Sequence, residues 1–284
     1  RTNRCIRMTR WRRFEIDPRR LRTNAKPRCR GTVRQSHFLK RQCNKVNRMS
    51  AKLLTPFFEG QIWLCTYPIR MAGTSFDARM TVIRLASGEL MLHSPCNITV
   101  AMAKEISALG RVAHIVAPGN FHHLYIATAQ AAFPAAKTWI CPGIERKRTG
   151  LKYDGLLGDM APVDWAAEID QALVQGTRIM REVAMFHRAS RTLILVDLIE
   201  NFTDTTPHTG GALKFWFKYV FRMWNNPRPA PEYRIGWSDR TAAAKSLNRI
   251  LAWDFQRIVL SHGDLIERDA HAVAIKAWLG ILEG

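Results

Sequence analysis

Several familiar markers are missing from this sequence. No apolar run reaches the roughly 18–20 residues that cross a bilayer, and no secretory signal peptide is visible. None of the six cysteines forms a Cys-x-x-Cys pair. Cys5, Cys29 and Cys43 precede residue 49, which leaves an odd three, Cys65, Cys96 and Cys141. No disulfide framework is implied, and these three read as small buried hydrophobes of a reducing, cytoplasmic compartment. Without a secretory context, the sequons at Asn97 and Asn201 are chance matches.

Acidic residues are scarce in one segment only. Residues 1–48 hold 17 Lys and Arg against two Asp and Glu, whereas the rest of the chain holds 26 against 21. The formal charge of +20 therefore describes the first segment, and nucleic-acid binding is not expected of the folded body. Met49-Ser50-Ala51 reads as a natural start. Residues 1–48 are then expected to be a basic leader, disordered or non-native, with a functional basic arm as the alternative. Residues 49–284 are expected to form a single domain. A hydrophobic content of 47% supports a sizeable core, and 10% aromatics argues against general disorder.

What the chain does have is a set of metal-ligating residue types at the ends of apolar, β-rich runs. Val112 to Ala117 leads into Pro118-Gly119-Asn120 and the pair His122-His123. Thr192 to Val196 ends on Asp197, and Ile258 to Leu260 ends on Ser261-His262-Gly263. Ligand sites of α/β folds gather at the carboxyl ends of strands, so these ends point to one shared site. Neutral imidazoles with a carboxylate suit zinc, iron or manganese.

Read coarsely, strands and helices alternate. Ile62–Tyr67, Arg79–Leu85 and Glu89–His93 read as strands, the last two joined by a turn at Ser87-Gly88. Thr99–Leu109 has helical spacing and stops at Gly110. Val112–Ala117 and Thr138–Cys141 are strands around a helix over Leu124–Phe133, and Gly143–Asp164 is loop-like. Val183–Phe186 and Thr192–Val196 form a hairpin about Ala189-Ser190. Helices follow at Ala212–Trp224 and Thr241–Trp253, separated by a Pro-rich link at Pro227, Pro229 and Pro231. Gln256–Leu260 is the last strand and Ala270–Leu282 the closing helix. Hairpins early in each half, followed by αβ units, suggest an α/β (α+β) fold of two similar layers with helices outside.

Particular segments carry a resemblance over roughly residues 57–284. They are Arg79-Met-Thr-Val-Ile-Arg-Leu85, Leu92-His-Ser-Pro95, Val116-Ala-Pro-Gly-Asn120 with His122-His123, and Pro142-Gly143. Ile169-Asp-Gln171, Ser190-Arg-Thr-Leu193 with Asp197, and Trp253-Asp254 through His262-Gly263 continue it. Together they resemble the metallo-β-lactamase superfamily, in a bacterial branch with a degenerate metal motif and a domain of unknown function. The resemblance implies a four-layer αβ/βα sandwich with a metal site along one edge.

The superfamily signature is His-x-His-x-Asp-His, two ligands for each of two metals. Aligned on its last two positions, this chain reads Pro118-x-Asn120-x-His122-His123. Both first-metal histidines of the motif are absent. Counting back from Asp197 into Gln175–Glu182 finds Arg178 and Glu182 but no histidine. The second-metal set remains, as His122, His123, Asp197 and His262. The resemblance implies one divalent metal, Zn or Fe, or none.

The residues themselves allow alternatives. Adjacent histidines reach one ion only if the chain leaves ideal helix geometry there. A helix N-terminus would help keep them neutral and able to ligate. Otherwise His122 caps the helix and His123 is a satisfied, semi-buried residue. With a turn at Ala189-Ser190, His187 pairs near Thr192, too far from Asp197 to share an ion. The same register sets Glu182 opposite Asp197 as a supporting or substitute ligand, against a plain surface carboxylate. Asn120 and His93 are further candidates to support the ligands, whereas His114 and His271 have only structural readings.

Lys214, Lys218 and Arg222 would make a basic stripe on helix 212–224 among aromatic residues. Such a helix could contact a membrane peripherally, roof the site, or be a core helix with one wet face. Arg146-Lys147-Arg148 is a basic loop able to steer an anionic substrate. Two functions follow. One is a mononuclear metallohydrolase acting on a small-molecule ester, lactone, amide or phosphoester. The other is a catalytically inactive binding or interaction module on the same fold.

Overall fold

The computed structural model describes residues 53–283; the basic leader expected over residues 1–48 lies outside them. Strand β1 (Thr55–Phe58) pairs antiparallel with β2 (Ile62–Met71), which pairs with β3 (Thr74–Arg84) along its whole length. The turn at Gly88 returns the chain into β4 (Leu90–His93), antiparallel to β3. Helix α1 (Val100–Leu109) starts where the Thr99 hydroxyl accepts from the Met102 amide, a Ser/Thr cap of the usual kind. The strand β5 (Val112–Ala117) then runs parallel to β4 and is buried at every position. Such unbroken burial is what a central strand covered on both faces requires.

Helix α2 (Ile126–Ala132) and strand β6 (Lys137–Ile140) follow, then the short helix α3 (Ile144–Lys147) and the two-residue strand β7 (Gly155–Leu156). Over the described residues, β1 to β7 form one sheet in chain order. The second sheet holds β8 (Ile169–Leu173), β9 (Val183–His187), β10 (Thr192–Ile194) and β11 (Arg257–Val259), ordered β11-β10-β9-β8. Between β10 and β11 come α4 (Gly211–Phe215), a π-helical stretch (Trp216–Val220), α5 (Pro231–Gly236) and α6 (Arg240–Leu251). Helix α7 (Ala270–Leu282) closes the chain.

The main core lies between the sheets, where Ile62, Met80, Leu92 and Ile115 of the first pack with Val183, Met185, Ile194 and Val259 of the second. Ala172, Leu193 and Ile258, on the other face of the four-stranded sheet, form a second core with Leu247, Ala274 and Trp278 of α6 and α7. The sheets are joined again where Pro118 and Asn120, just past β5, pair with the entry to β9. The Val183 amide donates to Pro118 O at 2.7 Å and the Asn120 amide to Arg181 O at 2.9 Å.

Three sequence expectations are corrected. The helix expected over 212–224 is α-helical only to Phe215, widens to a π-helix, and is over by Arg222, whose φ is +55°. The basic stripe at i, i+4, i+8 therefore does not form, since the π turn breaks the 3.6-residue period. The Pro-rich link contains α5, because Pro231 sits at the helix start where a missing N–H costs nothing. The loop expected over Gly143–Asp164 contains α3 and β7. No helix among the described residues is long and apolar enough to cross a membrane.

Candidate metal centre

The site forms where the two sheets meet. His122 lies five residues beyond β5, Asp197 three beyond β10, and His262 three beyond β11. One potential ligand atom from each falls within 4.8 Å of the others. His122 Nε2 stands 3.1 Å from Asp197 Oδ2, and His262 Nε2 stands 3.4 Å from Asp197 Oδ1. All three side chains are less than a tenth exposed.

The far side of each imidazole is held. His262 Nδ1 lies 3.3 Å from the Asp77 carbonyl and donates to it, so Nε2 is the nitrogen that faces Asp197 and would ligate once a metal displaces its proton. His122 Nδ1 is 2.8 Å from Ser94 Oγ, and with Nδ1–H donating there its Nε2 faces Asp197 in the same way. Metal-binding histidines are oriented by such bonds from the second nitrogen. Ser94 reaches His122 from a left-handed backbone, φ +55°, directly after β4.

The His262 loop is fixed from both flanks. Arg79, on β3, donates to the carbonyls of Leu260 and, at 3.0 Å, Gly263. Gly263 has φ +84°, and a Cβ there would collide with Asn201 O. Only glycine allows the turn and the close approach together.

Glu182 anchors Asp197. Its Oε1 accepts from the Val196 amide at 2.7 Å and its Oε2 from the Asp197 amide at 2.9 Å. Burial, then the charge of Asp197, pushes the Glu182 carboxyl up to about 7. For Asp197, burial opposes ionisation, but the charges and hydrogen bonds of His122 and His262 hold its carboxyl well below the usual range. Burial likewise disfavours the imidazolium of His122, yet Asp197 and Glu182 raise its pKa above the ordinary value. Helix α2 begins only at Ile126, and the nearby carboxylates dominate.

His123 stands outside the group of three. In the irregular segment between β5 and α2, only His122 of the adjacent pair comes together with Asp197 and His262. His123 Nδ1 is buried without a hydrogen-bond partner among the described residues. Burial and the charges of Lys147 and Arg148 push its pKa down to about 4.

Asn120 is spent on backbone: Nδ2 donates to Ile179 O at 3.0 Å and Oδ1 accepts from Arg181 N at 3.1 Å. His93 ends β4 next to Ser94 and is fully buried; burial, then the proximity of His122, lowers its pKa to about 3. His187 pairs with Thr192 across the β9–β10 hairpin and bonds Ser190 Oγ at 2.7 Å.

Sequence reading missed Ser94, Asp77 and Arg79 as holders of the ligands. They act through an atypical backbone angle, a main-chain carbonyl and a long-range guanidinium contact. It also missed Glu200, buried at the edge of the cleft with Oε2 lacking a partner among the described residues. Burial, then Asp197, Glu232 and Glu182, pushes this carboxyl well above the ordinary range.

The donor set fits one ion. Ligands about 2.0–2.2 Å from a tetrahedral metal stand roughly 3.3–3.6 Å apart; the 3.1 and 3.4 Å contacts at Asp197, each to a different carboxylate oxygen, lie near that range, and one atom from each of the three residues falls within 4.8 Å of the others. Three protein ligands with an open fourth position are the pattern of catalytic zinc, whereas structural sites close with four.

The architecture defines the class. The chain is similar to a metallo-β-lactamase from Pontibacter korlensis, with TM-score 0.54 and 11% identity over 81% of this chain and 98% of that one. A metallo-β-lactamase from Erythrobacter litoralis gives TM-score 0.55 and 14% identity over 81% and 95%. The metallo-β-lactamase FIM-1 from Pseudomonas aeruginosa, in its mono-zinc form, gives 0.52 and 11% over 81% and 96%. At such identities the likeness shows the fold, which is the αβ/βα sandwich of the metallo-β-lactamase superfamily, here with an incomplete metal site. No curated protein matches the sequence. The family model described as Domain of unknown function (DUF4336) matches residues 59–214, more than half of the chain, and the chain belongs to that family.

Proposed function

We propose that the protein is a mononuclear metallohydrolase in which His122, Asp197 and His262 hold one divalent ion, zinc or iron, and which acts on a small-molecule ester, lactone, amide or phosphoester. One observation carries this reading: both imidazoles turn Nε2 to the Asp197 carboxylate while Ser94 and the Asp77 carbonyl hold their Nδ1 atoms. A bound ion would supply Lewis acidity toward a carbonyl or phosphoryl oxygen and toward water. The chain's own residues then do the positioning. Glu182 fixes the Asp197 backbone, Arg79 fixes the His262 loop, and Tyr67, Phe121 and Leu124 line the cleft with the ligands.

The test is elemental analysis of purified protein beside His262→Ala, followed by turnover of activated esters, lactones and phosphodiesters. Retained metal that His262→Ala removes, together with hydrolysis that falls in parallel, supports the reading. Protein without transition metal, or metal indifferent to the substitution, defeats it. A second reading, a catalytically inactive binding module of the same fold, has one observation in its favour. Asn120, at the half-site the superfamily motif would complete, has its amide committed to Ile179 and Arg181. Metal binding without turnover of any of these substrates would favour that module.

A further inference from the structure

Beside the metal cleft lies a second cavity of about 340 Å³, within the range of about 300–1,000 Å³ usual for small-molecule sites. Phe76, Leu213, Trp216, Phe217, Phe221 and Pro231 make most of its wall. Met71, Glu200 and Glu232 line both spaces, so the two adjoin. Phe76 connects them again, its ring meeting the His262 imidazole edge-on with centroids 5.1 Å apart.

Two features mark this cavity as a place for a ligand. Its mouth is open: Trp216 and Met71 are 45% and 46% exposed, while Phe76 and Phe217 behind them are buried. At its junction with the cleft stands Glu200, 7% exposed, with Oε2 lacking any partner among the described residues. The backbone of Glu200 is fixed by a reciprocal pair of hydrogen bonds with Arg228, at 2.8 and 3.2 Å. Only the carboxyl end awaits a partner, and a buried polar atom left unpaired calls for one. Neither Lys nor Arg is among the residues lining the cavity.

We propose that this cavity takes the apolar chain of the substrate, and that Glu200 accepts a hydrogen bond from an N–H or O–H group where the chain joins the reacting head. The substrate class is then an amphiphile, with a hydrolysable head at His122, Asp197 and His262, a polar donor beside it, and an apolar tail against Phe76, Trp216 and Phe217. The place of the head rests on the hydrolase reading; the place of the tail does not. Each methylene moved from water into such a cavity tightens binding about fourfold.

The tail site is tested on the full-length protein stripped of metal, titrated calorimetrically with butanamide, hexanamide, octanamide and decanamide. Affinity should climb by roughly tenfold or more at each step until the cavity fills, with a heat-capacity change that grows more negative. Thr74→Trp, placed on the cavity wall in a strand that accepts aromatics, should flatten the series. Glu200→Ala should weaken every amide by about the same factor, roughly fivefold to tenfold, and Glu200→Gln should recover most of it. Circular dichroism and thermal melts identify any variant that has not folded. A wild-type series independent of chain length overturns the inference, as does a folded Thr74→Trp protein that binds the long amides like wild type. Amide binding by a protein that retains no metal would keep the tail site and remove the hydrolase reading. A flat series in a protein that does take up metal would remove the tail site alone.

Discussion

Asn120 and Asp197 occupy matching places, each the third residue past a buried strand of its own sheet, and the chain uses them in opposite ways. Around Asp197 the main chain is satisfied by others. Glu182 takes its N–H, and its carbonyl accepts from the Ala230 amide at 2.9 Å. The side chain is left facing two imidazoles. Around Asn120 the side chain itself supplies the missing partners, one amide atom to Ile179 O and the other to Arg181 N. A polar residue at a strand end serves chemistry only when something else completes the neighbouring backbone, and Glu182 does that for Asp197.

Substitutions that break this contrast should differ in kind as well as size. Asp197→Ala has the largest effect. It should cut retained metal to below about a tenth of wild type, since one of three ligands is gone. It should also cost the metal-free protein about 3–5 kcal/mol in denaturant melts, the penalty for removing one side of a buried ion pair.

Glu182→Gln comes next and shows itself in pH dependence. Folded Glu182 keeps its proton up to about 7, whereas the unfolded chain releases it near 4.5. Folded protein therefore binds more protons at this group between those values, which by itself makes metal-free wild type about 3 kcal/mol less stable as pH rises through that window. Glu182→Gln should remove that component, read as the difference between variant and wild-type melts at a series of pH values, while Glu200, His93 and His123 titrate in both.

Asn120→Ala should cost about 1–3 kcal/mol by orphaning Ile179 O and Arg181 N, with metal stoichiometry unchanged. Metal lost along with stability would erase the contrast with Asp197. His123→Ala is the smallest: elemental analysis should find the same metal content, and stability should move by less than about 1 kcal/mol, because the ring nitrogen it removes has no bond to lose.

Much of the architecture could be read from local pattern. Val112–Ala117 and Ala270–Leu282 appear with the expected bounds, because unbroken apolar character and a long helical period are strong signals. The hairpin about Ala189-Ser190 has the expected pairing of His187 with Thr192. What escaped was short or set by distant contacts. Strand β1 is a four-residue edge with a register shift, and β8 holds Asp170 and Gln171 in its middle, which masks its period. At the site, residue types at strand ends located the centre. The choice between His122 and His123 depends on which way the backbone faces after Phe121, and the role of Ser94 depends on its left-handed φ. Neither is written in a residue type.

The ligands do not belong to one sheet. His122 follows a strand of the seven-stranded sheet, while Asp197 and His262 follow strands of the four-stranded one. An ion held by all three would clasp the two halves of the sandwich together at its rim and recognise only the docked state. Such linkage adds about 2.7 kcal/mol when free metal exceeds its Kd a hundredfold. Metal supply would then govern how firmly the seam between the halves is shut, and resistance of that seam to proteolysis should rise and fall with it.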